Sequence, residues 1–440
     1  MQASIRHALA RTILSAALWC LPVLCHGGAA DATAAQVAPS ADAPAFDAQR
    51  AWLEWSQLLT LDYAYFQRPG VDGPAIVAHF AALATATTTR QQFVALIQQM
   101  ARQFADPHLN VGPAAPDAPS LVPTASDLHG AWTDGRFAIV DVRADSDAGR
   151  QGVVAGDEVI SIDGVAPQAA VERLLGRALT ALSREQVTFG LNLALAGVRD
   201  RPRRLVVRGR GGQRDLALRS TAEQARAVAA APAISSQRRG DVGIIVFNNS
   251  LGRDETIAEF ARALLPLLDT RALVIDLRNT PSGGNTTVAR GVLGHFTSRE
   301  RPYQMHTVPG EARRHGVPRK FVEYVLPLQP QYRGRVIALG GRWTGSMGEG
   351  MMIGFDAIGA QTAGSPMGHL LGAMSRETLA ACGATVELGE EQLFHVNGSP
   401  REAFVPRLRV EPAEAGARGD PTLEAVMRWL ADTRPRAAAR

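Results

Sequence analysis

The chain has 440 residues, 46% of them apolar and 20% charged, which describes a soluble globular protein long enough for two or three domains with separate cores. Its 46 basic and 42 acidic residues leave a formal charge of +4. No basic run interleaved with aromatics accompanies that charge, so nucleic acid is not an expected partner.

At the N-terminus, Arg6 and Arg11 precede an apolar run over 12–24 and the small residues Gly27, Gly28, Ala29 and Ala30. This has the three regions of a secretory signal, and its apolar core is too short for a stable bilayer span. The expectation is a signal peptide over 1–30, a disordered Ala/Pro-rich leader over 31–45 and a bacterial protein that is periplasmic or secreted. No transmembrane segment would remain after cleavage. A lipid anchor at Cys25 is disfavoured because Leu24 is large for the residue before such a cysteine. Cleavage would remove Cys20 and Cys25, leaving Cys382 without an internal disulfide partner. Removing two arginines from 46 basic residues leaves 44 against 42 acidic ones, a charge of +2.

From 46 to 104 the apolar spacing is helical. Trp52, Trp55, Leu59 and Tyr63 share one face, and Phe93, Leu96, Ile97, Met100 and Phe104 share another. Pro69-Gly70 breaks the first helix. The reading is an N-terminal helical bundle over 46–120, ending near Asp106-Pro-His108.

Between 121 and 220 the period shortens. Phe137 to Val142 reads as a strand, Pro167 to Leu182 as a helix, and 203–208 with 216–218 as closing strands. The lead-in Ala148-Gly-Arg-Gln-Gly152 and the run Gly156-Asp-Glu-Val-Ile-Ser-Ile-Asp-Gly164 resemble a PDZ domain of the bacterial protease type.

From Asp241 strands and helices alternate: a strand at 242–247, a helix at 254–268 and a buried strand at 272–276. A glycine-rich loop over 277–285 follows, then a strand at 336–341, a further helix and a short strand near 360–365. This rhythm indicates an α/β core over 221–435. A surface strand is expected at 384–388, beside Cys382.

The segment Thr344-Gly-Ser-Met-Gly-Glu349 lies between the 336–341 strand and its helix. A serine there sits on a sharp turn with an exposed Oγ, and Gly345 and Gly348 let a substrate approach the backbone. The first helical N–H groups, beginning with Met347, lack internal partners and point toward developing negative charge.

Four elements occur in order: the helical lead ending in Asp106-Pro-His108, the PDZ-like insert, Ile275-Asp-Leu-Arg-Asn-Thr-Pro-Ser-Gly-Gly284, and Thr344-Gly-Ser-Met-Gly-Glu349. Together they resemble the C-terminal processing (tail-specific) serine peptidases and their tricorn-like relatives over roughly residues 47 to 430. The resemblance implies a multidomain α+β protein: an N-terminal helical bundle, a PDZ-like β-domain and a crotonase/ClpP-like α/β peptidase core. It implies an acyl-enzyme on Ser346, with an oxyanion hole from Met347 and from Gly283 or Gly284. The loop Thr280-Pro-Ser-Gly-Gly284 is one residue longer than the usual one, which leaves open which glycine donates.

Processing peptidases of this family carry a lysine base a little over twenty residues after the serine. Here that stretch, Ala363-Gly-Ser-Pro-Met-Gly-His-Leu370, holds His369, and Lys320 lies on the other side of the serine. The tricorn-like branch uses a histidine from the end of the helical lead and a glutamate near the end of the core, matched by His108 and Glu402. Ser346, His108 and Glu402 are therefore the expected catalytic group, with His369 as an alternative base and Glu349 as support. A histidine near neutrality can take and return the serine proton, and a carboxylate on its other nitrogen fixes the tautomer. The plainer readings are that His108 fills a turn beside Asp106 and that Glu402 is an exposed acid beside Arg401.

The expected partner is a peptide or unfolded protein whose C-terminus the PDZ-like domain recruits by strand addition. No cofactor is expected and, since His295, His306 and His315 lack ligand spacing, no metal. The oligomeric state is not encoded in any feature identified. A non-catalytic ligand- or peptide-binding protein on the same fold is the alternative. A crotonase-like acyl-CoA enzyme is opposed by the signal sequence and the PDZ-like insert.

Overall fold

In a computed structural model of the chain, residues 46–249, 251–410 and 420–433 are described. The signal peptide and leader expected over 1–45 lie outside them. Among the described residues there are three sheets of five or six strands and one two-stranded ribbon.

The central sheet has six strands in the order 408–409, 361–364, 335–340, 272–276, 242–247, 234–239. All neighbours are parallel except the 234–239 edge, which pairs antiparallel with Val242–Phe247. The strands Val242–Phe247 and Ala272–Asp276 are almost wholly buried because helices cover both faces. On one face Phe260, Leu264, Val288, Val292, Met351 and Phe355 pack against Ile245 and Ile275; on the other Leu423, Val426 and Leu430 meet Val274 and Ile337.

A second sheet runs in the order 320–325, 301–307, 384–394, 373–379, with Asn110–Gly112 added on the 384–394 strand. The helices Ala48–Leu61, Gly73–Thr85 and Arg90–Arg102 do not close a core of their own. Trp55, Leu59, Phe93 and Ile97 share one cluster with Leu379, Ala384, Val386 and Leu388. The strand expected at the surface over 384–388 is thus the interior strand Ala384–Phe394, and its apolar face is covered by these helices. Cys382 is buried beside it.

The third sheet is antiparallel throughout, in the order 128–133, 136–142, 158–162, 203–209, 212–218. Its helix was expected to run from 167 to 182. It stops at Leu175, where Gly176 takes φ 69 and caps it. A second helix, Arg184–Ala196, opens on a capping box between Ser183 and Gln186. It lacks an amphipathic stripe because it is buried on several sides: Leu191 and Leu195 face the sheet, while Leu193 joins Val122. No helix among the described residues is long and apolar enough to cross a membrane.

Candidate active site

The strand Arg335–Gly340 leads into a turn that is fixed from beneath. Thr344 Oγ1 donates to Leu277 O at 2.9 Å and accepts the Gly341 N–H at 2.9 Å, and Gly345 N–H donates to Thr280 O at 3.0 Å. Ser346 follows at φ 51, ψ −116, immediately before the helix Met347–Ala357. A residue with a Cβ avoids this region of backbone space unless its surroundings impose it, so the serine is held under strain at the junction. Ser346 O accepts the N–H groups of Glu349 and Gly350, which starts the helix. The Met347 N–H has no hydrogen-bond partner among the described residues.

The glycine-rich loop meets this turn edge on. A Cβ added at Gly283 would lie 2.4 Å from Ser346 Cβ and 2.5 Å from Met347 N. Only glycine permits that approach, and Gly283 also has φ 61. The Gly283 N–H is turned into the loop, donating to Thr280 O at 3.2 Å. Gly284 N–H has no such partner among the described residues.

Glu349 is completely buried and holds three backbone N–H groups: Ser346 at 2.9 Å, His369 at 2.9 Å and Leu370 at 3.0 Å. Burial pushes its carboxyl up to about 7, opposed by the Arg401 charge and by these N–H donors. One side chain therefore ties the serine turn to the loop 369–372.

That loop gathers the other expected residues. His108 is 4% exposed, and its Nδ1 donates to Leu371 O at 2.8 Å. The carbonyl partner fixes the proton on Nδ1 and leaves Nε2 with its lone pair. Burial lowers the His108 pKa to about 4, against the Leu371 carbonyl. Its backbone N–H donates to Asp106 Oδ1 at 2.9 Å, and Asp106 Oδ2 accepts from Tyr63 OH at 2.8 Å. Asp106 is pushed up to about 6 by burial. His369, also at positive φ (57), donates Nδ1–H to Glu402 O at 2.7 Å. Burial and the Arg342 charge lower its pKa.

Glu402 is half-buried, not exposed. Among the described residues its Oε2 is buried without a hydrogen-bond partner, and burial raises its pKa. The carboxylate expected on His108 is thus replaced by the Leu371 carbonyl. No hydrogen bond among the described residues joins Ser346, His108 and Glu402 directly. Ser346 reaches the 369–372 loop through Glu349, His108 bonds to it through Leu371, and Glu402 bonds to it through His369.

Two features were not read from the sequence. Arg401, placed beside an exposed acid in the sequence reading, is 2% exposed and donates Nη2–H to Leu370 O at 2.6 Å and Gly372 O at 3.3 Å. The segment before the antiparallel sheet also touches the site, with buried Trp343 donating Nε1–H to Ser126 O at 2.9 Å. Neither contact has a local signal, since each joins residues 29 or more positions apart.

A scan against protein-family models and a search of curated proteins return no match. Solved structures do match. Mature CPAF superposes with a TM-score of 0.58 at 16% identity, covering 88% of this chain and 95% of that one. Mature CPAF complexed with lactacystin gives 0.57 at 16% identity, covering 88% and 97%. The photosystem II D1 C-terminal processing protease gives 0.55 at 15% identity, covering 87% and 96%. At these identities the likeness is one of fold, and it extends over nearly the whole of each neighbour.

Proposed function

We propose that this chain is an exported serine endopeptidase of the tail-specific, tricorn-like type, acting on peptides or unfolded proteins. The observation that carries the reading is Ser346 at φ 51, ψ −116 on a strand-to-helix turn, beside a Met347 N–H without a partner among the described residues. That backbone suits an attack by Oγ on a substrate carbonyl carbon while the N–H meets the oxygen of the same carbonyl group. The shared fold with CPAF and the D1 processing protease supports it.

In this reading Ser346 Oγ attacks the scissile carbonyl carbon while its proton passes to His108 Nε2. The oxyanion is met by the N–H groups of Met347 and Gly284; Gly283, the other candidate, already donates within its loop. The imidazolium returns the proton to the leaving amine as the C–N bond breaks, leaving an acyl group on Oγ. Water then attacks the acyl carbon, giving its proton to the same histidine, and the acid leaves as Oγ is reprotonated. Leu371 O holds the His108 Nδ1–H, so Glu402, the third member of the expected group, acts on the imidazolium through its charge and not through that hydrogen bond, and His369 is the alternative base. The antiparallel module recruits substrate C-termini in the manner of a PDZ domain, by strand addition.

A non-catalytic binding protein is the second reading, favoured by the Nδ1–H groups of His108 and His369 both going to backbone carbonyls and not to a carboxylate. Fluorophosphonate labelling of the purified protein, with the adduct located by mass spectrometry, separates the two. The peptidase reading expects an adduct on Ser346 that is lost in Ser346→Ala and His108→Ala and persists in His369→Ala. Loss only with His369→Ala moves the base to His369, and no adduct on the intact protein supports the binding reading.

A further inference from the structure

We propose that Arg401 is a positioning residue of this site, a buried cation that holds the loop 369–372 so that both histidines keep their place relative to Ser346. The inference rests on the peptidase reading above and adds a residue to it.

Arg401 is among the largest fully buried side chains of the protein, at 2% exposure. A buried guanidinium is costly unless its charge and its donors are met. No carboxylate lies within ion-pair distance of it among the described residues; its Nη2 bonds to two carbonyls, and its Nε has no partner. An arginine kept in such a place for packing alone is poorly suited to it, because an apolar side chain of similar volume would avoid the desolvation.

What it grips explains its retention. The carbonyls of Leu370 and Gly372 go to Arg401, and the carbonyl between them, Leu371, goes to His108. On the other edge of the same loop, the N–H groups of His369 and Leu370 go to Glu349, which also holds the Ser346 N–H. Side chains from the serine helix, from the 401–403 turn and from the end of the helical lead thus meet on four consecutive residues. Removing Arg401 frees two of the three captured carbonyls, so the loop loses register against both Ser346 and His108.

Its charge acts on the same groups. It lowers the pKa values of Glu349, Glu402, Tyr65 and His108. Glu349 also faces Arg342, and His108 also faces Glu387. Without the cation, Glu349 and His108 both take up protons at higher pH, so the acid limb of any Ser346 reaction shifts upward.

The test measures the second-order rate of fluorophosphonate labelling at Ser346 against pH for the wild type, Arg401→Met and Arg401→Lys, with Tm recorded for each. The expected result is labelling slowed by about 10²-fold in Arg401→Met, the penalty of misplacing reacting groups by roughly 1 Å, with its acid limb moved upward. Arg401→Lys keeps the limb in place but recovers the rate only in part. Labelling slowed without any movement of the limb in Arg401→Met, or unchanged in rate, overturns the proposal, since a structural role alone does not shift a pH profile. Should Arg401→Met fail to fold, Arg401→Lys decides: a wild-type rate overturns the proposal, and a loss of about tenfold or more with Tm retained supports it. Absence of labelling in the wild type overturns the peptidase reading itself, and this inference with it.

Discussion

Glu349 Oε2 accepts the backbone N–H of Ser346 at 2.9 Å, three residues back along the chain. The same oxygen accepts Leu370 N–H, and Oε1 accepts His369 N–H. A carboxylate can serve all three donors, whereas an amide has one acceptor oxygen and would turn its NH2 toward a donor. Glu349→Gln should therefore slow Ser346 labelling by about 10- to 100-fold, the range for lost hydrogen bonds to a charged group.

Stability should move the other way with pH. Burial raises Glu349 from 4.5 to about 7, so the folded state binds this proton more tightly than the unfolded one. Its favourable contribution is complete below about pH 4.5 and is lost as pH rises through about 7, a change on the order of 3 kcal/mol. Asp106 shifts in the same direction but is present in both proteins and cancels in the difference. The Tm of the wild type minus that of Glu349→Gln should accordingly fall between pH 5 and pH 8. A difference that stays flat or rises would show that the carboxyl is not held up by burial.

Ser346 gives a prediction about strain. Both Ser346→Ala and Ser346→Gly remove the hydroxyl, but only glycine accepts φ 51, ψ −116 without a Cβ penalty. Urea unfolding should place Ser346→Gly above Ser346→Ala by about 1–2 kcal/mol with equal m-values. Alanine as stable as glycine would mean that the turn relaxes and that no strain is held there.

Much of the fold was legible because parallel strands covered on both faces write themselves as continuous apolar runs, as at 242–247, 272–276 and 335–340. The helix Arg184–Ala196 was hidden by the opposite cause, apolar residues on too many sides to leave a stripe. The strand Arg301–Thr307 was hidden by buried polar residues: Gln304 and His306 lie in its interior, with His306 Nδ1 2.6 Å from Glu391 Oε2. At the site, Ser346 and Glu349 were readable because their relation is local, one turn of helix. The bond from His108 to Leu371 and the burial of Arg401 were not, because each depends on where a remote loop comes to rest.

The antiparallel module has its own keystone. Asp127 and Arg203, 1% and 4% exposed, form a two-pronged ion pair with both bonds at 2.8 Å. The pair ties the approach to Leu128–Thr133 onto the Arg203–Gly209 strand. Removing one partner strands the other charge in the interior, so Asp127→Ala should cost about 3–5 kcal/mol in urea unfolding. Replacing both, as Asp127→Leu with Arg203→Met, should cost less than Asp127→Ala alone. A double variant worse than the single one would show that the pair is net stabilising.

Gly283 is where the two halves of the proposed oxyanion site touch, and its replacement gives the sharpest local test. A methyl group there meets Ser346 Cβ at 2.4 Å, Met347 N at 2.5 Å and Gly345 O at 2.8 Å, all on the turn that carries the serine. None of these atoms is the free end of a flexible side chain, so the turn or the loop must move. Gly135→Ala is the matched control: it too has positive φ, 74, but among the described residues nothing lies within 4 Å of the added Cβ. Both variants carry a similar backbone penalty of about 1 kcal/mol, so their Tm values should fall by comparable amounts from that cause. Only Gly283→Ala should also lose Ser346 labelling, by about 10²-fold or more, as expected when an oxyanion donor is displaced. Equal labelling in the two variants would separate the glycine-rich loop from the chemistry and remove Gly284 from the proposed oxyanion hole.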